Sequence, residues 1–132
     1  MIIGVPKEIL ENETRVGVIP ATIKQLISGG FSVMIETGAG IKSQISDDDF
    51  RNAGAEIVSD ANRVFSGSDI IIKVNSPTNE EIEMIKEGSS YISFFQTMKE
   101  TNKVKALQNK KVTAYSMHLI PRTTLAQKMD AL

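Results

Sequence analysis

Asp69-Ile-Ile-Ile-Lys-Val-Asn-Ser-Pro-Thr-Asn-Glu-Glu-Ile-Glu-Met-Ile-Lys-Glu-Gly-Ser-Ser-Tyr-Ile-Ser-Phe-Phe95 contains a whole strand–helix–strand unit. Asp69 to Val74 is continuously apolar through Ile70, Ile71 and Ile72, as expected of a strand covered on both faces. Ser76 to Gly88 then reads as a helix over Asn79 to Lys86. Thr78 or Asn79 is placed to cap it, carboxylates fill its first turn and Gly88 stands at its end. Ser90 to Phe95 resumes as a strand. A strand, a helix and a strand at this spacing are a parallel crossover.

The same alternation runs outward in both directions. Ile2 to Val5, Phe31 to Glu36, Ala55 to Val58 and Val112 to Met117 read as further strands. Pro20 to Ser28 places Ile23, Leu26 and Ile27 on one helical face and stops at Gly29-Gly30. Asp47 to Ala53, Ala61 to Phe65 and Asn102 to Leu107 are the other helix candidates. The fold class that follows is α/β: a parallel sheet with helices on both faces, a Rossmann-like or flavodoxin-like three-layer domain. No repeat, low-complexity stretch or linker divides residues 1–132, so they read as a single domain.

Composition narrows the function classes. A formal charge of −1 supplies no basic field for nucleic acid or anionic lipid, which favours small-molecule or protein partners. Without cysteine there is no thiolate metal site, and the single His118 cannot build a zinc site unaided, so no metal is expected. The N-terminus lacks a basic region followed by a long apolar stretch, and the other apolar runs are short. The chain therefore reads as cytoplasmic, without a membrane span.

Open α/β sheets bind ligands beyond the carboxyl ends of their strands, where Lys7, Lys73 and Gln96 fall. Lys73 follows three isoleucines; it could contact a carbonyl or carboxylate, but the favoured reading is a side chain snorkelling to water from the sheet edge. Arg15 could clamp a ligand carboxylate bidentately or pair with Glu8, Glu11 or Glu13, and the two readings stand level. Gly38-Ala-Gly40 follows a strand, yet the third glycine and the acidic residue of a dinucleotide fingerprint are missing, which favours a plain turn. Asp47-Asp48-Asp49 suits a helix N-terminus better than a calcium loop. His118 reads as a packed or hydrogen-bonded histidine. In the final stretch, Ile120 to Leu132, a helix would gather Leu125, Met129 and Leu132 on one arc and spread Arg122, Gln127 and Asp130 over the neighbouring polar one. Alone, that is an ordinary docking helix.

Six short segments in order resemble a known family: Gly4-Val-Pro-Lys-Glu8, Asn12-Glu-Thr-Arg-Val16, Glu36-Thr-Gly-Ala-Gly40, Ala53-Gly-Ala-Glu-Ile57, Ile72-Lys-Val-Asn-Ser-Pro77 and Lys111-Val-Thr-Ala114. Together they resemble the N-terminal domain shared by alanine dehydrogenases and the nucleotide-binding alpha subunit of proton-translocating nicotinamide nucleotide transhydrogenases. The ending, Ile120 to Leu132, resembles the transhydrogenase loop whose arginine, glutamine and aspartate touch the nicotinamide end of NAD(H). Those positions fall on Arg122, Gln127 and Asp130. Alanine dehydrogenases place a catalytic histidine after the strand that here ends Phe94-Phe95, where this chain has Gln96. Arg15 and Lys73 match residues that hold the keto acid in alanine dehydrogenases, and transhydrogenases carry them too. His118 and Leu125 depart from the usual transhydrogenase pattern.

The resemblance implies hydride transfer between NADH and NADP+, coupled to proton translocation in a full complex. Gln127 would position the dihydronicotinamide as the catalytic residue, with Arg122 and Asp130 as further cofactor-binding residues. NAD would be the cofactor, and NADP would sit on a partner domain. The implied partners are the NADP(H)-binding and membrane domains, with a homo-oligomer in the full-length protein and a place at the inner face of the plasma membrane through partner subunits. In the family a dinucleotide-binding Rossmann domain and a returning C-terminal segment follow, so the fold is expected to be incomplete relative to the family, truncated before that Rossmann domain. The alternatives are an alanine-dehydrogenase-type fragment and a non-catalytic α/β interaction module.

Overall fold

The computed structural model describes residues 1–94 and 99–117. The strands are β1 (Ile2–Val5), β2 (Ser32–Glu36), β3 (Glu56–Val58), β4 (Ile70–Ile72), β5 (Ser90–Ser93) and β6 (Thr113–Ser116). The helices are α1 (Pro20–Ser28), α2 (Asp47–Asn52), α3 (Ala61–Gly67), α4 (Asn79–Met84) and α5 (Thr101–Asn109). The strands form one sheet in the order β3-β2-β1-β4-β5-β6, with every neighbouring pair parallel. Strand order reverses at β1: the chain first builds outward through β2 and β3, then returns to lay β4 on the other flank. Parallel pairing demands crossovers, and the helices supply them.

Alternation along the strands divides the core into two layers. Met34, Ile71 and Tyr91 face α3, α4 and α5, packing with Val64, Phe65, Ile82 and Leu107. Ile3, Val5, Val33 and Ile35 face α1 and α2, packing with Ile23 and Phe50. That second helix layer lies over the β2 and β3 flank. Across β4, β5 and β6 the same face carries Ile72 and Ile92, half-buried, and Tyr115, 56% exposed. Gly4 in β1 admits α3 closely, since a Cβ there would lie 2.0 Å from Ser68 Oγ.

Local signals account for most of the element ends. Past α1, Gly30 adopts φ +94° while its N–H donates to Ile27 O and that of Phe31 to Leu26 O, a Schellman stop. The acidic triplet is a helix start, with Ser46 and Asp49 forming a capping box on α2. Thr78, one of the two candidates, caps α4, and Glu81 completes its box. The end of α4 departs from expectation. It stops at Met84, because Ile85 turns to an extended conformation and is buried in the first core layer. Lys110 caps the open end by donating to the carbonyls of Glu83 and Ile85. Gly88 lies in the following turn, at φ +81°. The strand expected over Asp69 to Val74 is regular at Ile70–Ile72: toward β5 backbone bonds run on, from Lys73 N to Ile92 O at 2.9 Å and from Phe94 N to Val74 O at 3.0 Å, whereas toward β1 side chains take part at both ends. Asp69 accepts from Ile2 N at 2.8 Å, and Glu8 accepts from Val74 N at 2.9 Å.

Candidate functional site

The reversal of strand order leaves the carboxyl ends of β1 and β4 side by side. In open α/β sheets this is where ligands bind. Pro6 and Lys7 carry the chain off β1 and deliver Glu8, 5% exposed, to the end of β4. Its carboxylate accepts from the backbone N–H of Val74 and Asn75, at 2.9 and 3.1 Å, and from Asn75 Nδ2 at 3.1 Å. A side chain thus continues the ladder that the strands leave unfinished.

Lys73 immediately follows β4, and the snorkelling expectation fails for it. Its side chain is 2% exposed, with Nζ 2.8 and 3.1 Å from the Glu81 oxygens and 3.9 Å from Glu8 Oε1. Burying an ammonium so deeply requires paired carboxylates, and α4 presents one where the strand ends. Glu81 serves twice, because the oxygen nearer Lys73 also accepts from Thr78 N at 2.9 Å and so completes the cap of α4.

Arg15 pairs with Glu13, one of its three candidate partners. Nε and Nη2 donate to the two carboxylate oxygens at 2.9 and 2.8 Å, and the Arg15 backbone N–H adds a third bond at 2.9 Å. Arg15 is 59% exposed and Glu13 only 8%. The hydrogen bond from the Arg15 side chain, above all, lowers the Glu13 carboxyl to about 2, against the smaller opposing effect of burial. The same bond raises the Arg15 guanidinium. The loop carrying them presses against β4 at Gly17, where a Cβ would lie 2.7 Å from Ile72 O. No larger residue fits there without displacing backbone.

Arg15 and Lys73 come together on a cavity of about 350 Å³, walled by Ile72, Ile92, Phe94 and Met117. Lys73 also borders a second cavity, of about 280 Å³, with Asn75, Ser76, Thr78 and Lys103. An exposed guanidinium at the edge of an apolar cavity, with the buried Lys73 in its lining, suits a small ligand carrying a carboxylate. The sequence pointed to both cations. It missed Glu81 as the partner of Lys73 and Asn75 as the link between Glu8 and Glu13, although the Thr78-x-x-Glu81 capping signature was readable. Gly38-Ala-Gly40 is a turn, and its anion-binding position is filled from within, since Asp47 accepts from Thr37 Oγ1 at 2.6 Å and Gly38 N at 2.9 Å. Gln96, His118, Arg122, Gln127 and Asp130 lie outside the described residues.

The crevice at the reversal does not fit a dinucleotide. β1 is followed by the long loop of residues 6–19 rather than a tight glycine turn, and Glu8 places a carboxylate in the crevice on the N–H groups that follow β4.

The family model described as alanine dehydrogenase/PNT, N-terminal domain, matches residues 4–132. The chain belongs to this family. It is 45% identical, over 132 residues, to the NAD(P) transhydrogenase subunit alpha of Haemophilus influenzae, an alignment covering 100% of this chain and 25% of that protein. The alanine dehydrogenase of Methanococcus maripaludis is 41% identical over 120 residues, covering 91% of this chain and 32% of that enzyme. Among solved structures, a transhydrogenase from Sinorhizobium meliloti superimposes with a TM-score of 0.93 at 34% identity, covering 98% of this chain and 39% of that one. The chain thus spans a quarter to about two fifths of the length of these family members. Among the described residues, no helix is long and apolar enough to cross a membrane.

Proposed function

We propose that this chain is part of the NAD(H)-binding subunit of an NAD(P) transhydrogenase, in which hydride passes between NADH and NADP+ and the full complex couples the transfer to proton translocation. The extent of the likeness supports this reading. The transhydrogenase relative aligns over the whole chain, including residues 120–132, whereas the alanine dehydrogenase aligns over 91%. Gln96, standing where the resemblance puts the dehydrogenases' catalytic histidine, agrees with it.

In this reading residues 1–132 form one domain, and a Rossmann domain elsewhere in the protein holds adenosine and pyrophosphate. NADP sits on a partner domain. The subunit forms a homo-oligomer and lies at the inner face of the plasma membrane through its partners. Gln127 positions the dihydronicotinamide, while Arg122 and Asp130 hydrogen-bond its carboxamide and fix the loop. Orientation and exclusion of water are the chain's contribution, with no proton transfer assigned to its side chains.

The test is a fusion of this chain to the remaining part of the Haemophilus influenzae subunit, assembled with that protein's partners. Gln127→Asn shortens the amide by one methylene and misplaces the ring by about 1 Å, which costs on the order of a hundredfold in single-turnover hydride transfer. NADH affinity changes little, because the adenosine and pyrophosphate contacts persist. Lys24→Gln, an exposed change on α1, alters neither quantity. Equal small effects from both variants would refute the assignment.

One observation favours a second reading, alanine-dehydrogenase-type chemistry on a small 2-oxo acid. Arg15 and Lys73 share a cavity large enough for such a ligand. In this reading Arg15 forks the carboxylate and Lys73 reaches the carbonyl.

A further inference from the structure

We propose that Asn75 is a positioning residue that fixes Arg15 and Lys73 as a matched pair of cations around one small ligand bearing a carboxylate and a carbonyl. This deepens the reading of their shared cavity as a carboxylate site and rests on it.

Asn75 is fastened at three points. Its backbone N–H donates to Glu8 Oε1 at 3.1 Å, its carbonyl accepts from Tyr91 Oη at 3.0 Å, and its Nδ2 spans Glu8 Oε1 at 3.1 Å and Glu13 Oε1 at 2.9 Å. Each of the two bridged carboxylates faces one of the cations. Glu13 grips Arg15 through Nε and Nη2, and Glu8 lies 3.9 Å from Lys73. A continuous chain therefore runs Arg15, Glu13, Asn75, Glu8, Lys73, Glu81, from an exposed loop through the strand reversal to the cap of α4.

The chemistry of the bridge requires an amide. Both neighbours are acceptors, so the NH2 face of the side chain must point at them, and its two protons serve one oxygen each. A hydroxyl has a single proton. An aspartate of the same shape would set a third negative group against Glu8 and Glu13. A lysine would compete with Arg15 and Lys73 as counter-ion. The neutral two-donor group ties the carboxylates together and leaves their charge to the cations.

The link matters for binding because Arg15 is otherwise free to wander on the surface. Glu13 occupies the Nε–Nη2 edge of its guanidinium, and Nη1 has no partner among the described residues, so the remaining edge is available to a ligand carboxylate. Lys73 cannot adjust, being buried against Glu81. The spacing of the two cations is thus set by where Asn75 holds Glu13.

The experiment titrates the isotope-labelled chain with pyruvate, and with acetate as a probe lacking the carbonyl, while NMR follows the Arg15 Nε–H in the free and ligand-bound states. In the unaltered chain the Nε–H is protected before ligand is added, and pyruvate binds more tightly than acetate. Asn75→Asp weakens pyruvate at least about tenfold, the cost of a lost charge-assisted link, and exposes the Nε–H to exchange. Asn75→Gln, which keeps both donors, restores much of both signals. Should Asn75→Asp fail to fold, Glu13→Gln breaks the same link from the loop and gives the same two losses. Unchanged pyruvate affinity and Nε–H protection in Asn75→Asp, with the unaltered chain binding, overturns the positioning role alone. Absence of a pyruvate response in the unaltered chain overturns the cavity reading and the proposal together.

Discussion

Glu13 shows how one carboxylate can be structural and electrostatic at once. It accepts from three nitrogens of Arg15 and from Asn75 Nδ2, and these bonds hold it charged down to a pH of about 2, against an ordinary value of 4.5. A carboxyl whose folded value is depressed contributes stability that is complete above its unfolded value and lost as pH falls through the folded one. The window is therefore pH 4.5 down to about 2. Glu13→Gln should flatten part of the acid slope of stability there, measured as urea midpoints at a series of pH values. Asp47 and Asp69, also held low by their hydrogen bonds, keep the slope from vanishing. An unchanged slope would mean that Arg15 leaves Glu13 in solution. Lys73 was legible as a lysine at a strand end, and Arg15 as a candidate carboxylate clamp. Their partners were only partly so: Glu13 stood among three candidates, and the burial of Lys73 depends on Glu81 arriving from another element, which spacing along the chain does not reveal.

Helix α4 is short, and its stability is bound up with the buried lysine. Thr78→Ala removes one side of the capping box and should cost about 1 kcal/mol. Glu81→Ala removes the other side and leaves the Lys73 ammonium with only Glu8, 3.9 Å away, so about 3–5 kcal/mol is expected. The double change Lys73→Met with Glu81→Leu removes the uncompensated charge and should cost clearly less than Glu81→Ala. Chemical denaturation of the three variants decides this, and a double variant as unstable as Glu81→Ala would show that apolar packing cannot replace the pair. Element identity was readable because parallel strands and amphipathic helices have different periods; the six strands and five helices expected within the described residues all form. Boundaries were less readable where a distant group ended the element. Lys110 closes α4 from the turn before β6, and Glu8 finishes β4 from the loop after β1. Neither contact leaves a mark in the local sequence.

The whole sheet has the strand order of a dinucleotide-binding fold, with its reversal between β1 and β4, yet the crevice there is chemically the opposite of a phosphate site. A pyrophosphate needs free backbone N–H groups and close approach. The N–H groups of Val74 and Asn75 already donate to Glu8, those near Gly38 are met by Asp47, and residues 6–19 fill the space a tight glycine turn would leave open. Any dinucleotide entering must displace a bound carboxylate and bring its own negative charge beside Glu8, Glu13 and Glu81. The order of the strands therefore does not by itself confer nucleotide affinity, and the chain alone is expected to bind NADH with a Kd on the order of millimolar or weaker. Calorimetric titration of the chain with NADH measures this. Addition of an NADP(H)-binding partner domain should leave reduction of an NADP analogue by NADH at background, because the adenosine and pyrophosphate have no holder among the described residues. Micromolar binding to the chain alone would require Glu8 or Asp47 to yield its N–H partners, and Glu8→Gln and Asp47→Asn would then tighten NADH further, identifying which carboxylate guards the crevice.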